Sequence, residues 1–526
     1  MNKSQEQSQE LASKLWSIAN DLRGNMDASK FKNYILGVIF YRYLSERTER
    51  YMDDLLKKDG ISYKEAMANE EFAPTVKEWS IDSLGYIIEP KYFFSTMIEE
   101  ILDGTFSIQT FEKAIRSLTD STIGQKSEPA FDKLFDDINL QDKDLGKEVS
   151  DRTKLMSKVM LKVNDISFDT ENTKIDILGT AYMILIGLFA SDAGKKAGEY
   201  WSPSFLTELC AKLATVGLDS VRSVCDPCGG SGQMCLSVRN VLPSHNVFRY
   251  YADELNGSTY NLMRMNFLMH GIPYNKFVTY NEDILTKDKF YEDGEPVYFT
   301  VQCSNPPYST QNTQTSASLD DPRYASCGVL APKKMADLAF VQHMVYHMDP
   351  DDGRIAVLLP HGVLFRGGTE QKIRKNFIDS QNVLDAVIGL PKNMFQSASI
   401  PVCCLVFKKK RNGDSNNIYF IDASKYFKKG KSTNELTEED ITRIVDAYTK
   451  REDIEKFAKK VTLEEIKNND YNLNIPRYVD SSEDEIEIDL NEVTNSIKNT
   501  NAKIKESEAS LKNYFEELGL KFPFGD

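Results

Sequence analysis

Residues 221–232 read VRSVCDPCGGSG, an apolar run of strand-forming residues that breaks into Gly229, Gly230 and Gly232 before a helix-forming stretch. Glycines at such a point let the backbone turn tightly and approach a ligand with no Cβ in the way, and the helix that follows offers free N–H groups. No Gly-Lys-Ser/Thr follows, so the turn is not a P-loop. Outward from it, NVFRYYADEL, KFVTYNEDIL, VYFTVQCSNPPY, GRIAVLLP, VLDAVIGLP and IPVCCLVFKKK read as six further strands, and TYNLMRMNFLMHG reads as a helix among them. Strands separated by helices imply an α/β fold with a doubly wound, mainly parallel, seven-stranded sheet. Its ligands are expected at the carboxyl ends of the strands.

The flanks have a different period. Residues 1–170 read as a helical N-terminal domain: in LASKLWSIANDLR the apolar residues fall three or four apart, and FKNYILGVIFYRYLSER is dense enough for a helix buried on most sides. Two more helical segments, in residues 175–200 and from Ser202, precede the glycine turn, and the sheet domain is bounded at 171–435. The C-terminal region, 436–526, ends in a heptad series: Leu490, Ile497, Ile504, Leu511 and Leu518, with Val493 and Tyr514 on the same seam. That pattern predicts one long amphipathic helix seeking a partner helix; the other reading is a helix folded back on its own domain. SSEDEIEID ahead of it reads as a solvated acidic linker.

The chain has 526 residues, 41% apolar and 27% charged, with room for two or three domains. No uninterrupted apolar stretch is long enough for a membrane span, and the N-terminus lacks the apolar segment of a signal peptide, so no membrane partner and a cytoplasmic location are expected. Eight scattered cysteines suit buried thiols in a reducing compartment. Cys225 and Cys228 have CxxC spacing without a second pair of the same kind, and no metal site is expected. The net charge of −15 makes the chain a poor candidate for gripping duplex DNA alone, because Lys and Arg neutralisation of phosphates supplies most non-specific affinity.

Chemistry gathers at the strand ends. Glu254, in ADELN, can accept hydrogen bonds from both hydroxyls of a ribose; Asp283, in NEDIL, can bond an exocyclic amino group while Ile284 packs on a purine face. Each carboxylate alone is more often a cap or a loop residue. Asn305, Pro306, Pro307 and Tyr308 close the next strand; by themselves they are equally well a turn, since proline fixes φ and withdraws a donor.

The ordered series GEYWSP, DPCGGSG, ADEL, NEDIL and NPPY resembles the motifs of S-adenosylmethionine-dependent DNA adenine N6-methyltransferases. Over most of its length, including WSIANDLRGNMDASKFKNYILGVIFYRYLSER, GRIAVLLPHGVLFRGGTEQKIRKNF and DYNLNIPRYV, the chain resembles the modification subunit of type I restriction-modification systems. The resemblance implies S-adenosylmethionine as cofactor. Its methionine part would be held by Asp226, Gly229, Gly230, Ser231 and Gly232, its ribose by Glu254, and its adenine by Asp283 and Ile284. Tyr200, Trp201, Ser202 and Pro203 would close over its carboxylate. Asn305 and the Pro306 carbonyl would accept the two N6 hydrogens of a flipped adenine, Pro307 would stiffen the loop, and Tyr308 would stack on the base. Cys228 and Ser202 stand where an alanine or aromatic residue and a threonine are commoner, and neither change removes a charge. Implied partners are DNA, a separate specificity subunit that chooses the target, with two modification subunits to each, and a restriction subunit. Arg366 and Gly367 are candidates only for a DNA-facing rim, and Phe395 for packing the flipped base. Glutamine N5-methylation of a protein, or an inactive assembly role, are the alternative readings.

Overall fold

The computed structural model describes residues 17, 28–166, 202–395, 400–411, 413–430, 433–482, 489–521 and 523. The helical readings of residues 11–23 and 175–200, and most of the acidic linker, lie outside them. Residues 28–166 are helical, as their apolar spacing predicts. Helix α1 (Ala28–Leu56) buries an unbroken run from Val38 to Tyr41, the signature of a helix enclosed on most sides. Helix α2 (Val149–Asn164) packs beside it through Met156, Val159, Met160 and Val163.

Among the described residues nine strands form one sheet: β1 (Ser220–Asp226), β2 (Asn246–Asp253), β3 (Phe277–Tyr280), β4 (Val301–Ser304), β5 (Arg354–Pro360), β6 (Leu384–Gly389), β7 (Val402–Lys408), β8 (Asn417–Asp422) and β9 (Ala458–Thr462). Their spatial order is β9-β8-β6-β7-β5-β4-β1-β2-β3. β3, β2, β1, β4 and β5 are parallel in turn, β7 is antiparallel to both its neighbours, and β6 and β8 pair in parallel. The chain reverses its direction of travel across the sheet between β1 and β4, which puts a crevice at their carboxyl ends.

One face carries helices α3 (Ser204–Thr215), α4 (Gln233–Val241) and α5 (Gly257–Met269); the other carries α6 (Asp337–Tyr346). The N-terminal helices pack on the first face through α5. Tyr43 donates to the Leu268 carbonyl at 2.8 Å, Asn261 donates to Asp137 at 2.9 Å, and Arg264 donates to the Pro129 carbonyl at 3.0 Å.

The sheet is two strands wider than the seven expected, and the boundary expected at 435 falls within it. β8 and β9 pair antiparallel, and helix α7 (Glu438–Lys450) covers them through Ile441, Ile444, Ala447 and Tyr448, so the sheet-bearing unit runs to Asp480. β9 reads AKKVT; its lysines suit a sheet edge, where charge discourages further pairing, and they hide the strand from a search for apolar runs. A second unit, Ser481–Asp526, contains helix α8 (Leu490–Glu517), capped by the Asp489 side chain. Its heptad seam is open to solvent throughout, with Leu511 at 42% exposure and Leu490 at 74%. Among the described residues no helix is long and apolar enough to cross a membrane.

Candidate active site

β1 delivers Asp226 to the carboxyl end of the sheet, and the chain turns through 227–232 into α4. The turn lies against the end of β2: Gly229 donates to the Asp253 carbonyl at 2.7 Å, and a Cβ on Gly229 would stand 2.5 Å from the Met263 sulfur and 3.3 Å from the same carbonyl. Gly232 has φ +80, which glycine alone adopts at little cost. Glu254 ties the turn from outside, accepting from the Gly230 N–H at 2.9 Å through one oxygen and from the Asn256 N–H at 2.8 Å through the other. Asp226 ties it from within, accepting from the Cys228 N–H at 3.0 Å and from the Ser304 hydroxyl, at the end of β4, at 2.7 Å. Burial pushes the Asp226 carboxyl up to about 7.

The next strand end joins the same structure. The Asn281 amide donates to the carbonyls of Glu254 and Leu255 at 2.5 and 2.9 Å, which fixes NEDIL beside ADEL. Asp283 caps its own turn, accepting from the Leu285 N–H at 3.2 Å. Asp253, the residue of ADEL to which the sequence gives no role, accepts from the Glu282 N–H at 3.1 Å through one oxygen and buries the other without a partner; burial pushes it up to about 7.

Asn305 directly follows β4, next to that wall. Its amide nitrogen donates to Ser202 Oγ at 3.0 Å, and its oxygen accepts from the Tyr308 hydroxyl at 2.5 Å. Tyr308 packs edge-on to Phe395, with ring centroids 5.8 Å apart, so the phenylalanine that the sequence offered for base packing supports the tyrosine ring. Burial pushes the Tyr308 phenol well above its ordinary value and keeps it a neutral donor. Arg366 turns inward: it lies 3.5 Å from Asp337 and 3.2 Å from Glu370, rather than on an open rim.

These strand ends enclose a cavity of about 300 Å³ lined by Glu254, Asp283, Ile284, Asn305 and Pro307, together with Cys228, Thr310 and Phe340. The glycine turn stands behind Cys228, Pro306 is buried below the loop, Ser202 reaches Asn305, and Pro203 precedes α3; Tyr200 and Trp201 lie outside the described residues. Phe340 lies on α6, in a run whose apolar spacing reads as helix core and carries no signal of a pocket. The cavity fits a nucleoside cofactor: it has the apolar Ile284 and Phe340 for a purine, and Glu254 and Asp283 as acceptors.

A second polar cluster lies close by. His343 lies on α6 and His347, four residues on, caps its end, an HxxxH spacing plain in the sequence that the expectation of no metal site leaves out of account. With Asp288 their ligand-type atoms lie within 4.8 Å of one another. Both ring nitrogens of His347 face chain oxygens at 2.7 Å, from Val297 and Asp288, and the Arg323 guanidinium lies 3.1 Å from Nδ1 of His343. The chain thus engages both nitrogens of His347 and Nδ1 of His343 with its own groups, one of them a cation, while Nε2 of His343 is buried without a hydrogen-bond partner. Arg323 also donates to the Ile284 carbonyl at 2.6 Å, which braces the wall of the cavity.

Comparison with known proteins finds relatives over most of the chain. Residues 173–487 match the family described as N-6 DNA Methylase, and residues 11–163 match the HsdM N-terminal domain. The methylase subunit of the type I restriction enzyme MpnII of Mycoplasma pneumoniae is 34% identical, over 98% of this chain and 98% of its own. The crystal structure of a type I restriction-modification methyltransferase subunit from Streptococcus thermophilus superposes with a TM-score of 0.81 at 37% identity, covering 90% of this chain and 99% of that one. A modification subunit from Vibrio vulnificus shares the fold, with a TM-score of 0.61 at 18% identity, covering 90% of this chain and 97% of that one.

Fold and site together define a methyltransferase that uses S-adenosylmethionine. Within that class the chain belongs to the N-6 DNA methylase family, as a methylase subunit of the type I restriction-modification kind, and its activity is adenine-specific DNA N6-methylation.

Proposed function

We propose that Asn305, Pro306, Pro307 and Tyr308 receive the target adenine and that the cavity beside them takes the cofactor. One observation carries this reading: Asn305 and Pro307 line the same cavity as Glu254 and Asp283, so acceptors for an amino group adjoin a nucleoside pocket. Glu254 holds the ribose; Asp283 and Ile284 hold the cofactor's adenine. Asp226, Gly229, Gly230, Ser231 and Gly232 shape the cradle for its methionine end, with Tyr200, Trp201, Ser202 and Pro203 closing over it.

When bound, the cofactor supplies a methyl group activated by its sulfonium. The chain's task is the nitrogen. N6 of adenine is a poor nucleophile because its lone pair is delocalised into the ring. The Asn305 side-chain oxygen and the Pro306 carbonyl each take one N6 hydrogen, favouring a more tetrahedral nitrogen with its lone pair free. The Asn305 oxygen has a second acceptor direction beyond the one Tyr308 uses. No strong base is required, since the methylated amine loses its proton after transfer; positioning and electrostatics lower the barrier. The Tyr308 ring stacks on the flipped base, held edge-on by Phe395.

The complex works with DNA and with a specificity subunit that chooses the target, two methylase subunits to each, and a restriction subunit completes the nuclease. The acidic chain supports delegated recognition, and the exposed seam of α8 supports a helical partner. The test is labelled methyl transfer to DNA with and without a co-expressed specificity subunit, followed by mapping of the modified base. Label on N6 of adenine only when the specificity subunit is present is the expected result; label on protein instead would overturn the reading.

A further inference from the structure

Ser309, directly after Tyr308, has φ +50, a left-handed conformation that residues with a side chain seldom hold without cause. Its N–H donates at 2.8 Å to a carboxylate oxygen of Asp337, 28 residues on. Asp337 opens α6 and has 0% exposure, and its second oxygen lies 3.5 Å from Nη2 of Arg366. Arg366 is in turn 3.2 Å from Glu370, itself 1% exposed. Two backbone bonds stitch the same segments together: Ala336 N–H to the Thr310 carbonyl at 3.1 Å and Asn312 N–H to the Lys333 carbonyl at 2.9 Å.

An acidic residue in the first turn of a helix is ordinarily explained by the helix dipole. That accounts for an aspartate at 337, but an exposed one would serve as well, and burying a carboxylate is costly unless it is paired and hydrogen-bonded. Here the partners are a loop N–H and an arginine from a third segment. Resting on the reading of Asn305 and Tyr308 given above, we infer that Asp337 is a positioning residue. It pins Ser309 in the left-handed conformation, with Arg366 as its counter-charge, and so sets the direction in which Asn305 and Tyr308 meet the target base. The residue after the four-residue motif holds a conformation that would otherwise relax, and a relaxed loop would carry Asn305 away from its place beside the cavity. Arg366 serves the reaction from behind the loop rather than from the DNA side.

The experiment uses the full-length chain with its specificity subunit and reads two quantities. The first is hydrogen exchange of the peptide spanning 304–313, and the second is kcat for methyl transfer beside the cofactor dissociation constant. Asp337→Ala is expected to speed exchange at the Ser309 amide at least about tenfold and to lower kcat roughly ten- to a hundredfold, the scale of a displaced reacting group, with cofactor affinity within about twofold. Asp337→Asn keeps an acceptor and should lose less. Adding Ser309→Asn to Asp337→Ala should restore part of kcat, because asparagine tolerates the left-handed region. Ser309→Val, at an exposed position where folding is not at risk, should lower kcat by itself. Unchanged exchange at Ser309 in Asp337→Ala, or a full rate in Ser309→Val, would overturn the inference. Absent methyl transfer in the unmodified chain, with Ser309 still protected, would instead overturn the reading of the site and leave the pin standing.

Discussion

The Tyr308 hydroxyl donates to the side-chain oxygen of Asn305 at 2.5 Å, so the ring assigned to the target base and the amide assigned to its amino group form one hydrogen-bonded unit. The hydroxyl competes with N6 for that oxygen and leaves it one further acceptor direction. Tyr308→Phe is therefore expected to retain most methyl transfer, because the stacking face survives and the amide oxygen gains a free lone pair. Tyr308→Ala should raise KM for DNA by roughly ten- to a hundredfold, the ~1–3 kcal/mol of a lost base–aromatic stack. Steady-state kinetics on both variants checks this, and an inactive Phe variant would show that the hydroxyl has a necessary role.

Asn305→Ala removes the acceptor and leaves the cavity's other walls in place. Methyl transfer should fall by at least about a hundredfold, as for loss of one preorganised hydrogen-bonding group, while cofactor affinity stays within about twofold. Calorimetric titration with S-adenosylmethionine, beside a transfer assay, separates the two. Equal loss of both would mean that Asn305 holds the cofactor.

Gly229→Ala places a methyl group 2.5 Å from the Met263 sulfur and 3.3 Å from both the Ala252 Cβ and the Asp253 carbonyl. The turn must shift, at a cost on the order of 1–3 kcal/mol, and cofactor affinity should drop with it. Thermal unfolding with and without cofactor measures both effects. A variant that matches the parent in each would show that the turn has room to spare.

Asp253 predicts a pH dependence. Burial raises its pKa from the ordinary 3.8 to about 7, so the native chain holds a proton that the unfolded chain releases between those values. Stability from this group is present below about pH 4 and is lost as pH rises to about 7, falling by at most ~1.4 kcal/mol for each pH unit crossed. Asp253→Asn should flatten that decline and stabilise the cofactor-free chain at about pH 8, above both values. Denaturant unfolding across that range tests it; an unchanged slope in Asp253→Asn would assign the dependence to other groups, Asp226 first.

On α8, Leu511→Asp puts a charge into a seam that is exposed along its whole length. Co-elution with the specificity subunit should be lost while cofactor titration is unchanged. Undiminished co-elution would remove the coiled-coil role.

Much of this is legible in the sequence alone. The glycine turn, the seven apolar strands and the carboxylates at their ends are local signals: backbone freedom, runs of β-branched residues and chain breaks all act within a few residues. β8 and β9 were less legible for the same reason. NIYFID sits within a stretch of mixed character, and the lysines of AKKVT mark a sheet edge that exists only once the sheet has formed. HMVYH shows the opposite case: its spacing is plain in the sequence, and what it means depends on Arg323 arriving 3.1 Å from His343.

The sequence by itself determined the class of fold and the order of the strand-end residues, because periodicity and glycine placement are properties of neighbours along the chain; the reaction is implied by the resemblance of that ordered series to a known family. Only the tertiary structure decided that Glu254 ties down Gly230, that Asp253 is buried with a bare oxygen, and that Arg366 turns inward to Asp337 and not outward to DNA. Those contacts join segments that come together only when the sheet closes, and a buried charge is tolerable only where that closure supplies its partner.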